Sequence, residues 1–285
     1  MKNFFIIANR AKDEALKAQD KLYKYILDKG GKATIDSTNY SEKDGYYTDS
    51  SLIPEDAECV IVLGGDGTML HAAADLIDCT LPFLGINLGT LGYLAEVDSD
   101  GMYDAIDRLL LDDYTTNERM MLDGICISDS KDSFCDSALN EIVITGSKAL
   151  QMVYVDIYVN DKLLHHYTAD GIIVATPTGS TGYSLSAGGP IVNPDSNMLI
   201  VTPICSHSMH NRSIVFSQDD EIRIDICDGR FGNIQNTEVV FDGGSRVTLK
   251  TGDSVKIKRS LHTLKIVKLN ELSFLDTLHN KLKDN

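Results

Sequence analysis

Phe4-Phe5-Ile6-Ile7-Ala8 is apolar without interruption, so a strand built from it carries hydrophobic side chains on both of its faces. Such a strand needs a covering layer above and below, which is the situation of a parallel strand between helices. The residues that follow keep supplying that arrangement. Ala15, Ala18, Leu22 and Ile26 mark one face of a helix, stopped at Gly30-Gly31. A short strand is expected around Ala33–Ile35, and further strands over Glu58–Leu63 and Pro82–Asn87. A second helix is expected over about Thr68–Ile77, and a third after Ser99, an N-cap candidate ahead of Met102, Ile106, Leu109 and Leu110. Strands and helices in alternation predict an α/β domain with a parallel, Rossmann-like sheet. Residues 36–56 between them are polar, with three tyrosines, and read as a loop long enough to serve as a lid.

Beyond about Tyr114 the period changes from helical to two. Val153, Val155, Ile157 and Val159 alternate with Tyr154, Asp156, Tyr158 and Asn160, and Ile222, Ile224 and Ile226 alternate with charged residues. Further strands fit Leu139–Thr145, Gly171–Thr176, Leu199–Pro203, Glu238–Phe241 and Val255–Ile257, with Asn160-Asp161 and Gly243-Gly244 as candidate tight turns. The expected organisation is an α/β domain over 1–115 and a mostly antiparallel all-β domain over 116–262. A tail over 263–285, with helical spacing from Glu271 to Leu282, is expected to pack back on the first domain.

The 285 residues carry a formal net charge of −16. A surface this acidic repels nucleic acid and anionic lipid unless a basic patch intervenes, and the lysines and arginines are scattered. The densest run, KIKRS near Lys256, reads as the solvent face of a strand. Six cysteines form no C-x-x-C pair and sit mostly in apolar strands, as reduced buried thiols do. The first apolar run is too short for a signal peptide and no stretch reaches the length of a membrane span, so a cytoplasmic protein is expected.

LGGDGTML, Leu63 to Leu70, joins strand to helix through glycines, which lets backbone N–H groups and a helix N-terminus converge on an anion. Asp66 opposes that use. At about 4 Å and an effective dielectric near 20, a carboxylate repels one phosphate charge by roughly 4 kcal/mol. Two roles would justify it: holding magnesium, or taking a proton from the group that attacks a phosphate. An Asx-type turn is the plain alternative, although Asn or Ser would make one without the repulsion. The turn lacks a Walker lysine and the spacing of a dinucleotide G-x-G-x-x-G. A second stretch, ADGIIVATPTGSTGYSLSAGGPIV from Ala169 to Val192, empties a strand into small hydroxyl residues and bare backbone suited to sugar and phosphate oxygens. Tyr183 within it offers a ring for a base. His207 and His210 have H-x-x-H spacing without a third ligand, and His165-His166 lies in a strand, where neighbours face opposite ways, so no metal ligand is assigned.

These stretches, taken in order, resemble the NAD kinase family. The resemblance is carried by GGDGT, NLGTLGYL (Asn87 to Leu94), ERMML (Glu118 to Leu122), Asn140-Glu141, ADG followed by ATPTGSTGYSLSAGGP, the His207 to Arg212 segment and Asp242-Gly243. GGDGT alone is shared with lipid kinases; the long Thr/Ser/Gly run is the more specific part. The resemblance implies ATP- and Mg²⁺-dependent phosphorylation of the adenosine ribose 2′-hydroxyl of NAD, with Asp66 as general base. It implies that Gly65, Gly67 and Thr68 lie at the phosphates and that His71 could face them. Asn140 and Glu141 would bond ribose or diphosphate oxygens, and Asp170 would reach the nicotinamide half. Thr181, Gly182, Tyr183, Ser184 and Ser186 would wrap the adenosine, and Asp242 would lie near the phosphates. Thr168 stands where many members carry arginine, Gly182 where alanine is common, Gly244 where glutamine or histidine is frequent, and Gln151 where an arginine can occur. A homo-oligomer, dimer or tetramer, with NAD and ATP as its small-molecule partners is implied as well. A lipid or sphingoid kinase sharing the turn and a non-catalytic NADP sensor are the rivals. The first would need an apolar or basic membrane-facing surface, and the second gains nothing from the charge of Asp66.

Overall fold

The protein is described from a computed structural model over residues 1–38, 48–89, 92–95, 97–128, 133–148, 151–206, 212–269 and 274–283. It divides into two units, Met1–Arg119 with Leu264–Asn285, and Met120–Thr263.

The first unit runs β1 (Asn3–Ala8), α1 (Asp13–Asp28), β2 (Lys32–Ile35), β3 (Cys59–Leu63), α2 (Asp66–Asp75), β4 (Phe83–Asn87), β5 (Val97–Asp98) and α3 (Met102–Leu110). Its strands pair in parallel in the order β2-β1-β3-β4, with β5 against β4. Phe5, Ile6 and Ile7 are fully buried, so the uninterrupted apolar run of β1 is covered on both faces. α1 buries Ala15, Leu22 and Ile26, and α3 buries Met102, Ala105, Ile106 and Leu109, each a stripe at helical spacing. The hydroxyl of Tyr25 on α1 donates to Asp107 on α3 at 2.8 Å.

Two helix starts differ from the sequence expectation. The N-cap of α3 is Gly101, not Ser99, and the Gly101 N–H donates to the Asp98 carboxylate at 2.8 Å, so Asp98 does the capping work. α2 begins at Asp66 instead of Thr68, because Gly65, extended at φ −94°, ψ −171°, serves as its N-cap. The loop expected to form a lid has residues 39–47 outside the described ones. Its two described ends are tied down: the Thr48 N–H donates to Asp75 at 2.9 Å, and the Asp49 N–H to the Thr38 hydroxyl at 2.8 Å.

The second unit takes in β6 (Thr115–Ile127) from Met120 onward, then β7 (Phe134–Ala138), β8 (Glu141–Gly146), β9 (Val153–Val159), β10 (Lys162–Ala169), β11 (Gly171–Ala175), α4 (Tyr183–Ser186), β12 (Met198–Ile204), β13 (Ile214–Ser217), β14 (Ile222–Ile226), β15 (Asn236–Phe241), β16 (Arg246–Lys250) and β17 (Ser254–Lys268) up to Thr263. Its ladders are antiparallel. One layer has the order β10-β9-β14-β17 and the other β13-β12-β11-β8-β15-β16. Val155, Ile157, Ile222, Ile224 and Val255 from the first layer share a core with Ile142, Ile144, Ile172, Val174 and Val239 from the second. This is the sandwich that period-two alternation dictates. The rest of β17, with Ile266 paired in parallel to Phe83, and α5 (Phe274–Lys283) belong to the first unit.

Asn160 and Asp161, at φ 48° and 61°, form the hairpin turn between β9 and β10. The turn between β15 and β16 falls one residue earlier than expected. Asp242 and Gly243, at φ 46° and 72°, are its central residues, and the Gly244 N–H closes it on Phe241 C=O at 2.8 Å.

Candidate functional site

In the first unit β3 delivers the chain through Gly64 and Gly65 to α2. A Cβ at Gly64 would overlap the buried Thr68 side chain, so that glycine answers to packing. Gly67 does not, since a Cβ there would meet nothing within 4 Å. The N–H groups of Asp66 and Gly67 precede the first intrahelical bond, Thr68 N–H to Gly65 C=O at 3.0 Å, so the exposed end of α2 is bare backbone of the kind that receives anions.

Asp66 makes no Asx turn with its own backbone. Its carboxylate reaches the segment after β4 and accepts the Tyr93 N–H at 2.8 Å and the Leu94 N–H at 3.1 Å. A side chain at Gly92 would overlap that carboxylate, which explains the glycine in GYL. An ionised carboxylate has about four lone-pair sites, so those two bonds fix its direction and leave acceptor capacity over. The Thr68 hydroxyl receives the Asn9 side chain at 3.4 Å, and the buried Asn87 donates to Gly89 C=O at 2.6 Å, holding the neighbouring corner. His71 is exposed on α2.

In the second unit the chain turns at Leu139-Asn140 before β8. Glu141 is buried, its Oε2 has no hydrogen-bond partner among the described residues, and the Tyr183 N–H points at its carboxyl. Burial, reinforced by the charge of Asp242, pushes the Glu141 carboxyl up to about 7. A Cβ at Gly182 would come to 2.9 Å from Glu141 Oε2 and 3.4 Å from Asn140 Nδ2, so Asn140, Glu141 and Gly182 crowd around one spot. Tyr183, 47% exposed, opens α4, and Ser186, also exposed, ends it. Asp242 turns both oxygens onto backbone: Leu139, Asn140 and Glu141 donate to it at 2.6, 2.9 and 2.9 Å. Burial outweighs these donors and raises the Asp242 carboxyl to about 6.

The other expected site residues are placed as follows. The Thr181 hydroxyl donates to Thr178 C=O at 3.2 Å. Ser184 is fully buried, bonded to the Thr202 hydroxyl at 3.1 Å. Asp170 precedes β11, its C=O taken by the Thr145 hydroxyl at 3.2 Å, and Thr168 lies on β10 opposite Tyr154. Among the described residues no hydrogen bond joins Thr168 or Asp170 to the Asn140-Glu141 corner. The His207 and His210 positions lie outside the described residues. Sequence reasoning passed over Thr176 and Gly179. The Thr176 hydroxyl donates to Leu139 C=O at 2.6 Å and accepts the Gly179 N–H at 3.0 Å, and any side chain at Gly179 would run into the Asn140 backbone. The available signal was a threonine directly after the all-apolar strand Gly171–Ala175 and directly before Pro177.

A model of the ATP-NAD kinase N-terminal domain matches residues 4–114, and one of the ATP-NAD kinase C-terminal domain matches 139–269. The chain is 43% identical to an NAD kinase of Lachnospira eligens, covering 99% of this chain and 100% of the relative. It is 44% identical to an NAD kinase of Agathobacter rectalis, covering 99% of both. Among solved structures, yeast NADH kinase complexed with NADH superposes with a TM-score of 0.89 at 23% identity, covering 100% of this chain and 88% of that one. An NAD kinase from Archaeoglobus fulgidus in complex with ATP superposes with a TM-score of 0.79 at 24% identity, covering both chains in full. At those identities the two structures establish a shared fold.

Proposed function

The chain belongs to the NAD kinase family, and we propose that it transfers the γ-phosphoryl group of ATP to the adenosine ribose 2′-hydroxyl of NAD, releasing NADP and ADP. The observation that carries the mechanism is Asp66, an acceptor-only group aimed by two backbone N–H groups at the bare end of α2. Phosphoryl transfer needs positioning and charge neutralisation more than covalent help. In this reading the turn at Gly65 and the N–H groups of Asp66 and Gly67 face the phosphates, with Thr68 behind them in the first helical turn and His71 beside them. The 2′-oxygen forms its bond to the γ-phosphorus as the bond to the β-phosphate oxygen breaks, and the 2′-proton passes to a free lone pair of Asp66. Asn140 and Glu141 hold ribose hydroxyls, Gly182 leaves them room, and Tyr183 offers its ring to the base. Thr181 and Ser186 complete the adenosine side, with Asp170 and Thr168 toward the nicotinamide half.

Among the described residues no three of His, Cys, Asp and Glu gather as a ligand set. Magnesium in kinase sites keeps several waters and takes one or two carboxylates plus substrate phosphates, so it needs no such cluster, and in this reading the ion arrives with ATP. Bound there, the ion would neutralise charge on the triphosphate. The reading extends to the homo-oligomer that the family resemblance implies, in which exposed apolar side chains such as Phe231, Ile234 and Leu261, at 89, 74 and 99%, would be covered. Cytoplasmic residence is supported by six cysteines that are all free. No helix among the described residues is long and apolar enough to cross a membrane.

The test is NADP formation from NAD, ATP and MgCl₂ by the purified protein, read through an NADP-specific dehydrogenase. Turnover that needs both the nucleotide and the metal supports the reading. NADP binding with no product from any nucleotide or polyphosphate donor overturns it in favour of a sensor.

A further inference from the structure

Leu139 and Asn140 lie between the end of β7 and the start of β8 at Glu141, so ladder pairing does not hold them. Something else does. Three consecutive N–H groups, of Leu139, Asn140 and Glu141, converge on the Asp242 carboxylate. From the other side the Thr176 hydroxyl takes Leu139 C=O, and the Thr176 N–H takes Asn140 C=O at 2.8 Å. The same hydroxyl accepts the Gly179 N–H, which ties the corner to the segment that carries Gly182 and Tyr183. The N–H groups of Leu139 and Asn140 and the C=O of Leu139 are thereby held by the side chains of Asp242 and Thr176, and the C=O of Asn140 by the Thr176 backbone. Thr176 has no exposed surface. Asp242 occupies the left-handed region, φ 46°, a conformation Asp tolerates better than most residues and one that aims its carboxylate back across the hairpin end.

We propose that Asp242 and Thr176 are positioning residues for the dinucleotide: they clamp the Asn140-Glu141 corner against Gly182 from two sides and set the affinity for NAD without touching it. The identity of the ligand rests on the NAD kinase reading; the clamp is a property of the second unit alone. Asn at 242 puts an amide NH₂ where one backbone N–H now donates, so donor meets donor and part of the clamp opens at nearly constant volume. Val at 176 keeps the shape of threonine and deletes both hydroxyl bonds, whereas Ser retains them.

The experiment uses the full-length protein, the variants D242N, T176V and T176S, steady-state kinetics with NAD and ATP varied separately, and amide hydrogen exchange over peptides covering 138–142. D242N and T176V are expected to raise the KM for NAD about tenfold or more, leaving the KM for ATP and kcat within about twofold. Exchange at 139–141 should accelerate in both, and T176S should restore wild-type exchange and KM. Unchanged exchange in the variants overturns the clamp. Accelerated exchange with an unchanged KM for NAD overturns its link to binding, and a loss confined to kcat overturns it in favour of contact with the reacting phosphates. Should D242N fail to fold, the T176V and T176S pair decides by the same readings. A wild-type protein that forms no NADP overturns the substrate reading instead, and the exchange rates still decide the clamp.

Discussion

Asp66 in the first unit and Glu141 in the second are both carboxylates beside glycine-rich backbone, and their surroundings treat charge differently. Asp66 is half-buried at the open start of α2, and each of its oxygens receives a backbone N–H. Glu141 is buried beside a second carboxylate and keeps an oxygen with no partner among the described residues. Backbone donors at the first position meet both carboxylate oxygens. At the second, burial resists the charge until something supplies donors. A ribose diol is such a supplier, so the comparison separates a carboxylate built to act on a proton from one built to meet a ligand.

The largest effect expected from breaking that comparison is at Asp66. Asp66→Asn keeps the size of the side chain but removes the proton acceptor, and should lower kcat by about 10²- to 10⁴-fold with NAD binding retained. The check is kcat at saturating magnesium alongside NAD affinity by calorimetry. Undiminished turnover in a folded D66N protein would remove the distinction between the two carboxylates.

Next comes Gly67. Nothing in the protein occupies the space a methyl group would take, and alanine is a better helix residue, so Gly67→Ala should raise thermal stability slightly while lowering kcat/KM about tenfold or more through collision with the phosphates. Full activity in G67A would mean that ligand does not approach this face of α2. At Gly64 the outcome should invert, with stability lost because the new side chain overlaps Thr68.

How far these roles could be seen in the sequence differs between the units. The apolar run of β1 and the alternation of β9 and β14 specify their layers because burial acts on every residue of a strand. The limits of β17 were less legible: Lys258, Arg259, Leu261 and His262 break the apolar alternation, yet Ser260 and Leu264 are buried and the strand continues to Lys268. Asp66 stood out because a charge among phosphate-binding glycines conflicts with its neighbours. Thr176 and Asp242 did not stand out as clamps, because their partners are backbone groups that leave no mark in sequence. The offset of the β15–β16 turn has the same origin. Gly243-Gly244 has suitable turn chemistry, but the carboxylate that holds the 139–141 backbone has to lie at its first central position, and so the turn takes Asp242.

The pH dependence of NAD binding sharpens the comparison further. A ribose diol donates hydrogen bonds, so the ionised form of Glu141 is the better acceptor. With its carboxyl raised to about 7, NAD affinity should climb as pH rises from 6 to 8, by up to about tenfold per unit below the midpoint, and level off above it. Glu141→Gln should bind more weakly at pH 8 and show no such slope. A flat wild-type profile with a normal E141Q affinity would place the diol elsewhere.

The smallest effect concerns stability in the absence of ligand. Glu141 has a folded pKa above its unfolded value, so the folded protein holds a proton that the unfolded chain releases between about pH 4.5 and 7. Stability therefore falls as pH rises through that window, and the deficit is complete above it. A shift from 4.5 to about 7 bounds the deficit at about 3 kcal/mol, and relaxation of the unpaired Oε2 toward water reduces it. Asp242, raised to about 6, adds a deficit of the same sign between its own two values, opposed in D242N by the backbone N–H that would lose its acceptor to the amide NH₂. Glu141→Gln has no such opposing loss at Oε2. It should melt a few degrees higher than wild type at pH 8 and level with it at pH 5, and saturating NAD should erase the advantage by giving the wild-type carboxylate its donors. A melting difference equal at both pH values would show that Glu141 carries no ligand-dependent charge, and the contrast with Asp66 would reduce to one of depth.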